Sequence, residues 1–378
     1  MAARAILPGN HRRRHGPSAR VYRSRLSCVQ SEFHGLSINA LLVTQSASLR
    51  YLTGFSGSNG LLVIRRSSAR FFTDGRYRQQ AHEEVGRGAE ITIIPGGGLF
   101  EGAVQEGALR SCPALGFDDR ALTYRQFREL RRLLPGITFR AVPDVIENLA
   151  AVKDETELAA LSSAGRISDR VFQEVLPLIR PGLMERDLAL EISYRQRRLG
   201  AESDSFEPIV AAGTRSAMPH ARAGTRRIKR GDAVLMDFGC VVSGYGSDIT
   251  RTVFMGRPHP RMKKLYDIVL CAQQVALGAV RAGISARALD ASARRIIARE
   301  GFEEYFPHSL GHGIGINVHE KPRIAPASTD VLRKGNVITI EPGVYLPGIG
   351  GIRIEDDVVV EDRGYALLTH SSRNLIQL

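Results

Sequence analysis

Two stretches of this sequence repeat one another at a nearly constant distance. Gly182, Arg186, Leu188 and Gly200 recur as Gly283, Arg287, Leu289 and Gly301, each 101 residues later. In both copies a helical pattern precedes the first glycine, and a second helix fills the space between the glycines. Further on, Gly231 to Gly239 (GDAVLMDFG) resembles Gly335 to Gly343 (GNVITIEPG) at an offset of 104, which sets Asp237 against Glu341. Each of these strand-like runs leads to a turn, Ser243-Gly244 in one copy and Pro347-Gly348 in the other, and then to a returning strand that carries Asp248 or Glu355. The pattern predicts two helix–helix–hairpin halves related by a pseudo-two-fold axis. Four carboxylates then meet where the halves join.

Four carboxylates gathered at one buried place cannot all stay ionised without cations. Carboxylate oxygens with one imidazole suit Mn, Co, Fe or Zn better than a thiolate site would. The imidazole expected there is His312, in His308-Ser309-Leu310-Gly311-His312-Gly313-Ile314-Gly315, where glycines on both sides allow close backbone approach. A pair of such metals polarises a carbonyl and activates water. Taken singly, each residue is ordinary. A lone Asp after a strand is usually a turn or cap, and Asp356 and Asp357 read as a solvated edge. His319-Glu320 suggests a zincin helix, but Arg323 stands where the second histidine belongs.

The 378 residues suit two domains. Residues 35 to about 150 alternate strands (Ala40–Thr44, Leu61–Arg65, Arg70–Thr73, Ile91–Pro95, Leu115–Phe117, Ile137–Val142) with helices (Gln79–Val85, Leu99–Leu109, Tyr124–Leu134), an α/β pattern. Gly54 to Gly60 reads as a tight loop; it lacks the Lys-Ser/Thr ending of a phosphate cradle. The acids of Lys153-Asp154-Glu155-Thr156-Glu157 open a long amphipathic run, so a boundary is expected near 150.

The net charge of +13 is unevenly spread. Seven arginines and no acid occupy residues 1–31, leaving +6 for the rest. Residues 1–31 are therefore expected to be a basic, disordered extension, with a first domain over 32–150 and a second over 151–378. Nucleic-acid binding is not expected, because the body has no aromatic–basic stripe. The acid-free start has the composition of a transit peptide but no apolar h-region, and the alternative is a true start further in at a codon other than Met, since the next methionine after Met1 is Met184. No apolar run is long enough to cross a membrane. Cys28, Cys112, Cys240 and Cys271 form no CxxC pair, which suits free thiols in a reducing, cytoplasmic setting.

Met236-Asp237-Phe238-Gly239, Ser247-Asp248-Ile249-Thr250-Arg251-Thr252, Gly311-His312-Gly313-Ile314-Gly315, Thr339-Ile340-Glu341-Pro342-Gly343 and Ile352-Arg353-Ile354-Glu355-Asp356 together resemble the methionine aminopeptidase, aminopeptidase P and prolidase family with its pita-bread fold. Arg50-Tyr51-Leu52-Thr53-Gly54-Phe55 and Phe72-Thr73-Asp74-Gly75-Arg76-Tyr77 resemble the N-terminal domain of Xaa-Pro peptidases and creatinase. The resemblance implies a creatinase-like α/β domain followed by a pita-bread domain (α/β, or α+β, in class). It implies two divalent ions, Mn, Co or Zn: Asp237 on one, Asp248 and Glu355 bridging, His312 and Glu341 on the other. Glu341 would also shuttle a proton, with His220 and His319 at the scissile bond. His308, Tyr345 and Arg353 match positions lining an Xaa-Pro site. The implied function is Xaa-Pro aminopeptidase or dipeptidase action on proline-containing peptides by a homodimer. The alternatives are a methionine-type aminopeptidase and a non-catalytic binding protein of the same fold. A bond before proline joins a tertiary amide without N–H, so a site fitted to the ring selects it.

Overall fold

The computed structural model describes residues 18–85 and 88–378. The chain divides into two compact units, Met1–Val145 and Ile146–Leu378.

The first unit begins with α1 (Ala19–Ser31), then β1 (Ala40–Val43), α2 (Ser46–Thr53), β2 (Leu61–Arg65) and β3 (Ala69–Asp74). It continues through α3 (Arg78–Glu84), β4 (Glu90–Ile94), α4 (Leu99–Gln105), β5 (Ala114–Phe117), α5 (Tyr124–Leu133) and β6 (Thr138–Ala141). The strands form one mixed sheet in the order β4-β3-β2-β1-β5-β6. Leu42, Leu61, Val63, Phe72 and Leu115 of its centre are buried with Phe100 and Leu130 of α4 and α5.

Two elements differ from expectation. Residues 18–31 are not a disordered extension: Tyr22, Arg25, Leu26 and Val29 of α1 are buried at helical spacing. The charge of Arg20, Arg23 and Arg25 hides that stripe in the sequence, yet Arg25 itself is buried. Its guanidinium donates to Tyr51 O at 2.8 Å and stands 4.0 Å from the Tyr51 ring centre. The rest of the expected extension, residues 1–17, lies outside the described residues. Helix α2 was also missed. It covers two turns, and its clearest signal is Gly54, which closes it in the left-handed region at φ 86°.

The second unit begins with α6, which starts at the boundary (Val145–Ala150), and contains the repeat. Its first half has α7 (Glu155–Val175), α8 (Glu185–Arg198), β7 (Ser203–Asp204), β8 (Ile209–Ala212), β9 (Ala233–Phe238), β10 (Cys240–Val242), β11 (Tyr245–Gly246) and β12 (Ile249–Phe254). The second has α9 (Pro260–Ala279), α10 (Ala286–Arg299), β13 (Gly311–Gly313), β14 (Glu320–Ile324), β15 (Val337–Ile340), β16 (Gly343–Leu346), β17 (Gly350–Arg353), β18 (Asp356–Glu361) and β19 (Gly364–Leu367). The sheets run β12-β9-β8 in one half and β14-β13-β15-β18-β19 in the other.

The duplicated glycines have a common cause. Gly182 and Gly283 sit at φ 93° and 84°, and Gly200 and Gly301 at 101° and 80°, where a side chain is strained. Gly182 N donates to Ile228 O at 2.9 Å, and Gly283 N donates to Leu332 O at 2.8 Å, so each copy ties its helix pair to the segment before its hairpin in the same way. Leu188 and Leu289 are fully buried in equivalent places.

Candidate metal centre

The hairpins change direction where the carboxylates stand. Strand β9 pairs with β12 directly, Asp237 opposite Thr250, while the chain between them peels off as the β10–β11 pair. Likewise β15 pairs with β18, and β16 and β17 pair separately. Asp237 is the penultimate residue of β9, Asp248 precedes β12, Glu341 follows β15 and Glu355 precedes β18. Each carboxylate thus sits at or next to the end of its strand, and all four face one cavity of about 920 Å³. Closeness of backbone on both sides of His312 is demanding. A Cβ on Gly311 would stand 2.0 Å from Thr339 O, and one on Gly313 would stand 2.1 Å from Lys321 O.

Oxygens of Asp248 and Glu355 and a ring nitrogen of His312 lie within 4.8 Å of one another. His312 Nε2 is 3.9 Å from Asp248 Oδ2 and 3.3 Å from Glu341 Oε1. Its Nδ1 lies 3.1 Å from Gly313 O, which fixes the ring with Nε2 toward the carboxylates. Asp237 Oδ1, Asp248 Oδ1 and Glu355 Oε1 are buried and have no hydrogen-bond partner. Three orphaned carboxylate oxygens beside an oriented imidazole fit a divalent cation, because Arg353, on Asp237 Oδ2, leaves these three oxygens without a partner among the described residues.

The electrostatics agree. Burial, then Glu355 and Asp237, holds the Asp248 carboxyl well above its ordinary range. Burial, then Glu341 and Asp237, does the same to Glu355. Glu341 is pushed up to about 8, mainly by burial. His312 is lowered to about 4 by burial and then by His319, which leaves its lone pair free as a ligand.

The surroundings hold these groups in place. Thr250 Oγ1 donates to Glu355 Oε2 at 2.6 Å, Asp248 N donates to Asp357 Oδ2 at 2.8 Å, and Thr339 Oγ1 donates to Glu341 Oε1 at 3.2 Å. Arg353 donates to Asp237 Oδ2, to Thr250 Oγ1 at 3.0 Å, to Tyr345 OH at 2.7 Å and to Pro219 O at 3.2 Å. His308 Nε2 lies 2.9 Å from Tyr345 OH. His220, His308, His319 and Arg353 line the cavity. Tyr345 stands behind that wall, 4 % exposed, where its hydroxyl joins Arg353 to His308.

Among the cavity residues that were not foreseen from the sequence, two bear on substrate binding. Arg323 lies opposite His312 in the β13–β14 register, on the same face. Glu207 lies just before β8. The only signal for Arg323 was its place two strand steps after the His319 segment, which reads as a failed zincin instead.

Residues 159–362 match metallopeptidase family M24, and residues 25–152 match the creatinase/prolidase N-terminal domain. The chain belongs to metallopeptidase family M24, with that N-terminal domain ahead of the catalytic one. It is 38% identical to an Xaa-Pro dipeptidase of Pyrococcus horikoshii, over 90% of this chain and 95% of that protein. An uncharacterized peptidase of Bacillus subtilis, YqhT, is 38% identical over 94% of this chain and its own full length. Among solved structures, an Xaa-Pro dipeptidase from Bacillus anthracis superposes with a TM-score of 0.91 at 38% identity, covering 94% of this chain and 100% of that one. An X-Pro aminopeptidase from Thermotoga maritima gives 0.85 at 35% identity, covering 92% and 100%. Among the described residues no helix is long and apolar enough to cross a membrane.

Proposed function

We propose that the chain is an Xaa-Pro dipeptidase that uses two divalent ions held by Asp237, Asp248, His312, Glu341 and Glu355. The observation that carries the reading is the group of buried, unpartnered carboxylate oxygens on Asp237, Asp248 and Glu355 beside His312, at the floor of one cavity. When bound, the ions supply Lewis acidity toward the scissile carbonyl and activate water. Glu341, at the cavity beside His312, takes up a proton from the attacking water and returns it to the leaving proline nitrogen. His319, lowered by burial and then by His220, stays neutral and donates to the carbonyl oxygen as charge develops there, with His220 beside it. Arg353, tied to Asp237 and braced by Tyr345, orients that carboxylate. Val318, Ala325 and Pro326 give the cavity an apolar wall for the pyrrolidine ring.

The preference for dipeptides over longer peptides rests on Arg323. It faces the cavity opposite His312, and no described carboxylate or carbonyl takes its guanidinium. The free carboxylate of a dipeptide supplies that partner. The test is hydrolysis of Ala-Pro against Ala-Pro-Ala by protein loaded with Mn(II), Co(II) or Zn(II). Turnover of Ala-Pro is expected, and Arg323→Ser should raise its KM roughly tenfold or more. Cleavage of the tripeptide at equal efficiency, untouched by Arg323→Ser, selects aminopeptidase action instead. No cleavage of either peptide by protein shown to hold metal sinks the reading.

A further inference from the structure

The charged residues of the cavity divide into those already partnered and two that have no side-chain partner among the described residues. Arg294 is bound to Asp290 at 2.8 Å and donates to Phe306 O at 3.0 Å and His308 O at 2.9 Å. Arg353 is held by Asp237 and Tyr345. Glu320 takes Lys153 at 3.0 Å and Asn317 N at 2.9 Å. With the metal-binding set excluded, Arg323 and Glu207 remain, of opposite sign and on opposite halves of the repeat.

Their placement follows from register. Ile209 of β8 lies opposite Asp237 of β9. Pro208 restricts the residue before it to extended backbone, so Glu207 returns to the face of Ile209. It does so one strand repeat further out, about 6.6 Å along. Arg323 lies opposite His312 instead. A peptide with its carboxylate at Arg323, on the second half of the repeat, and its carbonyl at the carboxylate cluster leaves its Xaa end for the first half, where Glu207 lines the cavity. Only a long side chain reaches Glu207, and Phe206 and Ile209 flank the path with apolar surface for its methylenes.

We propose that Glu207 is a specificity-determining residue that selects a basic side chain at Xaa, making dipeptides with Lys or Arg before proline the favoured substrates. This deepens the Xaa-Pro peptidase reading and rests on it. The test compares kcat/KM for Arg-Pro with that for citrulline-Pro, a neutral dipeptide of nearly the same shape. The wild-type ratio is expected to favour Arg-Pro by roughly three- to fivefold, as for a solvent-accessible charge pair, and to shrink as salt is raised. Glu207→Gln should bring the ratio to about one, and Glu207→Lys should turn the preference toward Glu-Pro over Arg-Pro. A wild-type ratio near one, or a ratio unchanged in Glu207→Gln, overturns this assignment alone. Absence of turnover of every Xaa-Pro dipeptide by metal-loaded protein overturns it together with the reading beneath it.

Discussion

Asp356 shows how much of this site lies behind the residues that face the cavity. Its carboxylate is fully buried and accepts from Arg251 at 2.7 Å, Gln273 at 2.7 Å, Thr369 at 2.9 Å and Arg373 at 2.6 Å. Arg251 also donates to Thr250 O at 2.9 Å and to Glu355 O, so this ion pair binds the strand after Asp248 to the strand after Glu355. Asp356→Ala leaves Arg251 buried without its carboxylate, and a loss of about 3–5 kcal/mol in urea unfolding is expected. Thr250→Val is a milder probe. It removes the hydroxyl on Glu355 Oε2 and should weaken metal binding by calorimetry roughly tenfold, with little change in fold stability. The carboxylates themselves were legible because the repeat sets them in corresponding places. Asp356 was not: beside Glu355 and Asp357 it reads as a solvated acidic edge, and only Arg251, 105 residues away, reveals it as buried.

At the scale of elements, legibility followed the strength of local periodicity. Strands of the first sheet and the helices α3, α4 and α5 stand within a few residues of where their patterns place them. Helix α1 was lost because its arginines outweigh a stripe of four buried residues. If it is an integral part of the first unit, Leu26→Ala should cost about 2–5 kcal/mol in chemical unfolding, since Leu26 is 3 % exposed. A loosely attached segment would show no change. The repeat allows a paired test. A Cβ on Gly182 or Gly283 meets nothing within 4 Å, so alanine there costs only backbone strain, about 1–2 kcal/mol. The two substitutions should cost alike if the copies are structurally equivalent.

For the whole molecule, the decisive property is that protons and metal compete for one set of buried groups. Four-carboxylate convergence was foreseen from the repeat, but its consequence for stability needs the burial that the fold supplies. In metal-free protein Glu341 titrates near 8 against 4.5 in an unfolded chain, and Asp248 and Glu355 shift in the same direction. A carboxyl raised by folding contributes its stability below the unfolded value and loses it as pH rises through the folded one. His308, lowered to about 3 by burial and then by Arg353, works from the other side: its contribution is full above 6.5 and is lost as pH falls. Below 6.5 the lowered histidines His308, His312 and His319 oppose the carboxyls, so metal-free protein should melt at steadily lower temperature as pH is raised from about 6.5 to 8, the part of the Glu341 window in which nothing opposes it. Divalent metal replaces the protons on these carboxylates, so loaded protein should keep its Tm across that window and gain most over the metal-free form at pH 8. Calorimetric titration of metal in buffers of different ionisation enthalpy should record proton release that grows as pH falls below 8. A metal-free Tm that is flat from about pH 6.5 to 8, with no proton release on loading, would mean that these carboxylates are already ionised in the fold.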